Sequence, residues 1–199
     1  STTGSVWACQ EIGRATNIVC EGELRQKGCR GDFALSESEY FEIIAAKTAE
    51  LTACSCRLGA YYAGASEEVV ERLTCFGRDL GIAFQIVDDV LDLQGEEETT
   101  GKSLGTDLEQ QKPTLPIIHA LESHSVTKRE ELLSLLGGDT APTRETLLPW
   151  LAEHDSIEYA YRTAKRFAAS ALKNLACLED SDATNTLRLI SGFVVERSR

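Results

Sequence analysis

Four oxygen-bearing side chains recur at helical spacing on a segment that is otherwise almost entirely apolar. The segment, residues 80–93, reads L-G-I-A-F-Q-I-V-D-D-V-L-D-L, and its polar members are Gln85, Asp88, Asp89 and Asp92. Steps of three and four residues return to the same face of a helix that turns by about 100° per residue, so these four side chains converge. Mg²⁺ prefers such carboxylate oxygens, commonly together with substrate phosphates. The spacing therefore predicts a magnesium site at the three aspartates.

A solvated acidic face is the competing interpretation, and it is the usual explanation of a run of charges. It requires the aspartates to face water while the rest of the helix packs elsewhere. Apolar residues occupy the remaining faces, so the helix is predicted to be buried on most sides. They are Leu80, Ile82, Phe84, Ile86, Val87, Val90 and Leu91. Three carboxylates buried there without cations would repel one another and lose their hydration. We therefore favour the metal site.

Three lysines are candidates for binding the phosphate groups that would accompany magnesium. Lys47 lies mid-helix directly before Thr48, Lys102 lies in G-K-S-L-G, and Lys112 begins K-P-T-L-P. Ammonium groups form charge-assisted hydrogen bonds with phosphate oxygens. A single lysine is most often a solvated surface residue. The prediction therefore depends on the three lysines acting together.

A second phosphate-binding pattern is only superficial. Residues 95–103, G-E-E-E-T-T-G-K-S, resemble a P-loop, but five residues separate Gly95 from Gly101 where that motif has four. Three consecutive glutamates would also oppose the phosphates. An NTPase is therefore a weak alternative.

The elements that must position these residues are predicted to be helices throughout, because apolar residues recur at three- and four-residue spacing and alternation is absent. Ser36 with Glu39, and Asp155 with Glu158, are candidate capping boxes, and Ser66 can cap the helix that carries the aspartates. Residues 96–112 are predicted to form a long loop. We expect an all-α bundle and a single domain over residues 1–199.

Composition restricts the class of protein. With 20 basic and 32 acidic side chains, the formal net charge of −12 argues against a nucleic-acid partner. No run of roughly 18 apolar residues occurs, so we do not expect an integral membrane protein. Seven cysteines without a C-x-x-C pair predict a reduced, cytoplasmic chain with small buried thiols. The chain starts at Ser1 without Met or signal-peptide features, and we expect that part of the natural protein precedes it.

Together these segments resemble the trans-prenyl diphosphate synthases, also called polyprenyl synthetases. The densest similarity is G-I-A-F-Q-I-V-D-D-V-L-D at 81–92, which resembles the second aspartate-rich motif of that family. It continues through G-K-S-L-G-T-D-L at 101–108 and K-P-T-L-P at 112–116. Upstream, E-G-E-L-R-Q at 21–26 and Y-F-E-I-I-A-A-K-T-A at 40–49 are also similar. The resemblance covers nearly the whole chain.

The resemblance implies an isoprenoid-synthase-type helical bundle around a central cavity, typically a homodimer. It implies a Mg²⁺-dependent prenyltransferase that condenses an allylic diphosphate with isopentenyl diphosphate. Asp88 would bind the metal directly, while Asp89 and Asp92 would bind it or order its water. The residues holding the allylic diphosphate would be Lys47, Lys102 and Lys112. The residues facing the carbocation would be Thr48 and Gln85.

One feature of the family is missing from the sequence. No second D-D-x-x-D precedes Asp88, so we expect the chain to lack N-terminal helices and to be inactive, or nearly so, alone. Two alternatives are a non-catalytic partner subunit of a prenyl synthase and a terpene cyclase-like enzyme. The three aspartates and three lysines favour an enzyme, and the segments at 101–108 and 112–116 favour chain elongation over cyclisation.

Overall fold

The computed structural model describes residues 4–94, 105–138 and 140–197. Within these ranges the regular structure is helical, which confirms the predicted all-α class. The α-helices are α1 (Val6–Gly28), α2 (Glu37–Ile44), α3 (Glu50–Tyr62), α4 (Glu67–Gln94), α5 (Thr106–Glu109), α6 (Leu115–Ser123), α7 (Val126–Leu136), α8 (Arg144–Ala152), α9 (Ser156–Asn174) and α10 (Asp182–Glu196). A π-helical turn, Ala45–Ala49, joins α2 to α3, and a 3₁₀ turn, Leu175–Cys177, follows α9.

The central element is α4, which packs along its length between α3 and α9. Its apolar faces are largely buried as the sequence predicted, because neighbouring helices cover them on both sides, but Phe84 is exposed. The main core joins α2, α4, α6 and α9 through Tyr40, Ile44, Ile82, Ile86, Val87, Val90, Leu115, Ile118, Ala160 and Ala164. A second core lies at the end of α4 and under α7 and α8, through Leu93, Leu108, Ile117, Leu132, Leu136, Leu147 and Leu151. These contacts hold the aspartate-bearing face of α4 in a fixed position.

The helix caps agree with the sequence in two cases and differ in one. Ser36 and Glu39 form the predicted capping box at α2, and the Ser66 hydroxyl accepts from the Val69 amide at the start of α4. The predicted capping box of Asp155 with Glu158 is wrong. Asp155 has a φ of 51°, and its side chain makes no capping bond. An N-cap side chain reaches the first turn from extended backbone, which this left-handed residue does not have.

The predicted loop between α4 and α6 is only partly a loop. It contains the short helix α5, and residues 95–104, which include the predicted ligand Lys102, lie outside the described residues. Two other helices carry only weak local signals in the sequence. α1 buries only Ala8, Ala15 and Gly22, so it lacks a large apolar stripe. α8 contains Pro149, which normally argues against a helix interior.

The cysteines are all free, but the prediction of buried thiols is only partly correct. Cys54 is buried, whereas Cys9 and Cys20 are exposed. Among the helices of the described ranges, none combines the length and the apolar character needed to cross a membrane.

Candidate functional site

Asp89 lies at the centre of the candidate site and is almost completely buried, with 1% of its surface exposed. Its Oδ1 accepts hydrogen bonds from Gln85 Nε2 and from Lys112 Nζ, each at 2.8 Å. Its Oδ2 accepts a hydrogen bond from the Tyr40 hydroxyl at 2.7 Å. Three donors, one of them cationic, replace the water that the carboxylate loses on burial. Lys112 therefore supplies the positive charge that the burial of Asp89 was expected to require.

Lys112 binds two carboxylates at once. Its Nζ lies 2.8 Å from Asp89 Oδ1 and 2.8 Å from Asp107 Oδ2. Burial acts to lower the pKa of Lys112, but the two carboxylates outweigh burial and raise that pKa above its ordinary value. One ammonium group cannot neutralise two anions. Burial and the charge of Asp89 therefore raise the pKa of Asp107 to about 6 despite its ion pair. The cluster carries surplus negative charge, which favours a further cation.

Asp92 accepts hydrogen bonds from the first residues of α5, which follow residues 95–104 in the chain. Its Oδ1 accepts from the Thr106 amide at 3.2 Å and from the Thr106 hydroxyl at 2.9 Å. Its Oδ2 accepts from the Asp107 amide at 3.0 Å. Asp92 thus caps the N-terminus of α5 from 14 residues earlier in the chain. This contact places Asp107 beside Lys112.

Asp88 occupies the outer edge of the same helical face, and 33% of its side chain is exposed. The Arg197 guanidinium approaches its Oδ1 to 3.8 Å. Arg197 also donates to the Phe84 carbonyl at 3.0 Å and lies 4.1 Å from the centroid of the Phe84 ring. Burial lowers the pKa of Arg197, and Asp88 opposes that shift. Phe84 is 39% exposed, so it is a platform for this arginine rather than a core residue.

Lys47 and Thr48 lie on the π-helical turn, Ala45–Ala49. Such turns are rare and are frequently found at functional sites. Lys47 Nζ donates to Gln26 Oε1 at 2.9 Å. The Thr48 hydroxyl donates to Gln85 Oε1 at 2.8 Å. Gln85 therefore accepts from one predicted site residue and donates to another, which connects the π turn to α4.

The charge environment of Lys47 links it to the same region. Burial and the positive charge of Lys112 lower the pKa of Lys47, whereas Asp89 acts to raise it. The two ammonium groups are thus close enough to repel each other. A bound anion between them would relieve this repulsion.

Two glycines allow helices to contact the backbone of the π turn directly. A Cβ atom added at Gly22 of α1 would lie 2.5 Å from the Lys47 amide nitrogen. One added at Gly81 of α4 would lie 2.6 Å from Ala49 Cα and 2.4 Å from Thr52 Oγ1. Any larger residue would separate these elements. The glycines therefore set the distances across which Lys47 and Thr48 reach their partners.

The structure joins five of the predicted residues into one set of neighbouring groups: Lys47, Thr48, Gln85, Asp89 and Lys112. Asp88 and Asp92 flank this set on α4. Sequence reasoning did not identify four further contributors, namely Tyr40, Thr106, Asp107 and Arg197. Asp107 lies within a segment that the resemblance included, and its position near Lys112 was a usable signal. The partnership of Tyr40 with Asp89 spans 49 residues and has no local signature.

The three aspartates differ in burial and in the hydrogen bonds described for them. Both carboxylate oxygens of Asp89 and both of Asp92 accept hydrogen bonds from protein groups. Asp88 is the partly exposed carboxylate beside them. Magnesium is commonly held by one or two carboxylates together with substrate phosphates and water. The carboxylates and lysines of this region fit a magnesium–diphosphate complex.

Comparison with known proteins gives a consistent result. Residues 2–149 match the family model described as Polyprenyl synthetase. The chain is 37% identical over 179 residues to a short chain isoprenyl diphosphate synthase of Methanothermobacter thermautotrophicus, covering 90% of this chain and 55% of that protein. It is 35% identical over 195 residues to heptaprenyl diphosphate synthase component 2 of Geobacillus stearothermophilus, covering 98% of this chain and 60% of that protein.

A solved structure gives the same result for the fold. The polyprenyl synthase from Caulobacter crescentus, complexed with calcium and isoprenyl diphosphate, superposes with a TM-score of 0.92 at 32% identity. The match covers 100% of this chain and 61% of that one. The chain therefore spans a little over half the length of the proteins it matches.

Proposed function

Because the chain belongs to the polyprenyl synthetase family, we propose that the protein is a prenyltransferase that condenses an allylic diphosphate with isopentenyl diphosphate. The observation that carries this proposal is the buried cluster of Asp89, Lys112 and Asp107 beside Asp88. Its surplus negative charge suits a divalent cation, and its neighbouring lysine, Lys47, suits the phosphates that the cation would accompany. A related synthase that binds calcium and isoprenyl diphosphate supports the same assignment.

We propose that Asp88 binds Mg²⁺ directly, while Asp89 and Asp92 act by fixing the groups around it. Bound Mg²⁺ would supply charge stabilisation for the departing diphosphate. Asp89 keeps Lys112 and Gln85 in place, and Asp92 keeps α5 in place. Direct coordination by Asp89 or Asp92 would require these protein donors to be displaced.

The lysines have different parts in this proposal. Lys47 has one carboxamide partner, so its remaining N–H donors suit a phosphate oxygen. Lys112 is 7% exposed and already binds two carboxylates, so its contribution to diphosphate binding is its positive charge and one remaining donor. Lys102 retains its predicted role on the basis of the sequence pattern alone.

Thr48 and Gln85 are proposed to face the carbocation that forms when the allylic C–O bond breaks. The Thr48 hydroxyl donates to the Gln85 carbonyl, and the Gln85 amide donates to Asp89. This relay fixes the orientation of the amide dipole, because reversing it would place the Gln85 carbonyl oxygen against the Asp89 carboxylate, which can only accept. A fixed dipole stabilises developing charge without reorganising during the reaction.

Asp88→Asn tests the proposal, with Asp180→Asn as a matched control on an exposed, surface-paired carboxylate. Condensation of labelled isopentenyl diphosphate is measured at limiting Mg²⁺ in the polypeptide that the gene encodes. We expect Asp88→Asn to lose about 100-fold or more in kcat, the scale of one lost electrostatic contact in a transition state. The Asp180→Asn rate should equal that of the parent. Equal rates for the two variants would refute the metal-binding role.

A partner subunit is the second candidate, because one relative is named as a component of heptaprenyl diphosphate synthase. Assaying the 199-residue chain alone, and then mixed with a separate prenyl synthase as the partner, distinguishes the two possibilities. We expect little condensation by the chain alone, since its sequence carries one aspartate-rich motif. A regulatory subunit would alter the partner's rate or product length even after Asp88→Asn, whereas a catalytic chain would lose its effect.

We further propose a homodimer and a cytoplasmic location, the latter supported by the free cysteines.

A further inference from the structure

A second group of metal-ligating side chains lies apart from the Asp89 cluster. It consists of His124 at the end of α6, with Glu153 and His154 in the turn between α8 and α9. The side-chain hydrogen bonds, ion pairs and ring contacts described for these three residues join them to one another, to Lys128 and to Trp150, and do not reach the Asp89 cluster. The third histidine of the chain, His119, bonds Ser156 instead, at 2.9 Å. The group therefore has no part in the function proposed above.

The two imidazole rings are arranged as a pair of ligands. His124 Nδ1 and His154 Nε2 are 3.0 Å apart, and the ring planes are inclined by 73°. One ligand atom from each of the three residues lies within 4.8 Å of the others. Tetrahedral zinc with bonds of 2.0–2.1 Å to nitrogen separates its ligand atoms by about 3.3 Å. The histidine pair is already near that spacing, and the exposed Glu153 side chain can rotate to reach it.

The environment of His124 favours a function other than packing. The residue is 7% exposed and stands edge-on to Trp150, with ring centroids 5.6 Å apart. Its Nε2 is buried and has no hydrogen-bond partner among the described residues. The bond to His154 uses only Nδ1, so one nitrogen stays unused in either tautomer. A metal ion on Nδ1 would leave the ring proton on Nε2, so the ion would fix the His124 tautomer, which no protein partner at Nε2 does.

The chemistry of the donors selects the ion. Two imidazole nitrogens suit zinc, nickel and copper, whereas magnesium and calcium prefer oxygen ligands alone. Three protein ligands with a fourth position open to water are typical of non-structural zinc sites. One cation opposes binding, because Lys128 Nζ bonds Glu153 Oε1. Removing that ammonium group would release the carboxylate and remove its repulsion of a dication.

We propose that His124, His154 and Glu153 form a binding site for a zinc-class divalent metal ion that links the end of α6 to the turn between α8 and α9. The proposal goes beyond prenyl transfer and does not depend on it. Such a link would join two segments that are 30 residues apart. Bound metal would therefore stabilise the folded state in proportion to its occupancy.

Calorimetric titration of the purified chain with zinc chloride, in excess Mg²⁺ and with a phosphine reductant, tests the site. We expect one zinc ion per chain and a rise in the thermal unfolding midpoint. His154→Gln should weaken binding by at least about tenfold, since loss of a supporting residue alone weakens metal sites by 10- to 100-fold. Lys128→Met should tighten binding. Glu158→Gln, which introduces the same residue at an exposed position outside the group, should leave binding unaltered.

Cobalt substitution separates this site from the cysteines. Cobalt held by imidazole and carboxylate gives d–d absorption without the thiolate charge-transfer band that cysteine ligation produces. His154 is half-buried, and glutamine keeps a polar group facing His124, so this variant tests binding with little change in packing, and circular dichroism verifies its fold. The proposal is overturned if the chain takes up no zinc, if His154→Gln binds as tightly as the parent, or if the cobalt spectrum shows thiolate ligation.

Discussion

Replacing Tyr40 by Phe should reveal how strongly the buried aspartate depends on its protein donors. The Tyr40 hydroxyl donates to Asp89 Oδ2 at 2.7 Å, and both residues are almost fully buried. Burial and the charge of Asp89 hold the pKa of Tyr40 well above its usual value, so the hydroxyl remains a donor throughout the working pH range. The substitution removes one oxygen and leaves the ring and its packing in place.

The size of the effect follows from the charge on the acceptor and from the lack of water. A hydrogen bond to a charged group contributes about 1.5–3 kcal/mol, and the cost is greatest when the acceptor stays buried. We therefore expect Tyr40→Phe to lower the free energy of unfolding by about 2–3 kcal/mol. For a chain of this size each kcal/mol shifts Tm by about 2–4 °C, so Tm should fall by roughly 4–12 °C.

Tyr159→Phe is the matched control for this measurement. The Tyr159 hydroxyl donates to Glu37 at the same 2.7 Å, but both residues are half-buried and water can replace the lost donor. Its cost should be below about 1 kcal/mol. Urea unfolding followed by circular dichroism gives both values on the same chain. Equal costs for the two substitutions would refute the inference that Asp89 is held by buried protein donors.

Three further perturbations test other parts of the structure. Gly81→Ala places a Cβ 2.6 Å from the Ala49 Cα, and it should lower the free energy of unfolding in urea by about 1–3 kcal/mol. The control, Gly59→Ala, meets nothing within 4 Å and should raise that free energy by up to about 1 kcal/mol. Lys112→Met leaves buried carboxylates without their cation and should cost about 3–5 kcal/mol by the same method; a loss below that of an ordinary surface change would contradict the ion-pair geometry. Burial lowers the pKa of His119, so the unfolded chain takes up a proton first and stability should fall as pH drops through about 6.5. His119→Asn should remove that part of the pH dependence in parallel unfolding curves at pH values above and below 6.5, and identical slopes would contradict it.

What depends on local pattern was predictable from the sequence. The helical class, the Ser36 capping box and the buried faces of α4 follow from spacing that any few turns of sequence display. The convergence of Asp88, Asp89 and Asp92 on one face followed from the same geometry. The need for a compensating cation was also predicted, because it depends on the cost of burying charge.

What depends on distant contacts was not predictable. The sequence argument assigned the compensation of all three aspartates to metal, whereas Lys112 compensates Asp89 and backbone amides compensate Asp92. These partners lie 23 and 15 residues away from the aspartates that they serve. The approach of Arg197 to Asp88 joins opposite parts of the chain, and no local pattern encodes it.

The π-helical turn also determines which side chains of its helical segment face the same direction. From Glu37 to Tyr62 the chain forms one continuous helical rod, and the turn makes room in it for one residue more than α-helical geometry would hold. In a regular α-helix an inserted residue would rotate everything on one side by about 100° relative to the other side, whereas the wider π turn takes up the extra residue and keeps the two sides in phase. Tyr40 before the turn and Thr48 within it consequently both reach α4. Deleting one residue between 45 and 49 would restore a regular helix, but it would remove the widened turn on which Lys47 and Thr48 lie. In this segment the count of residues carries as much information as their identities.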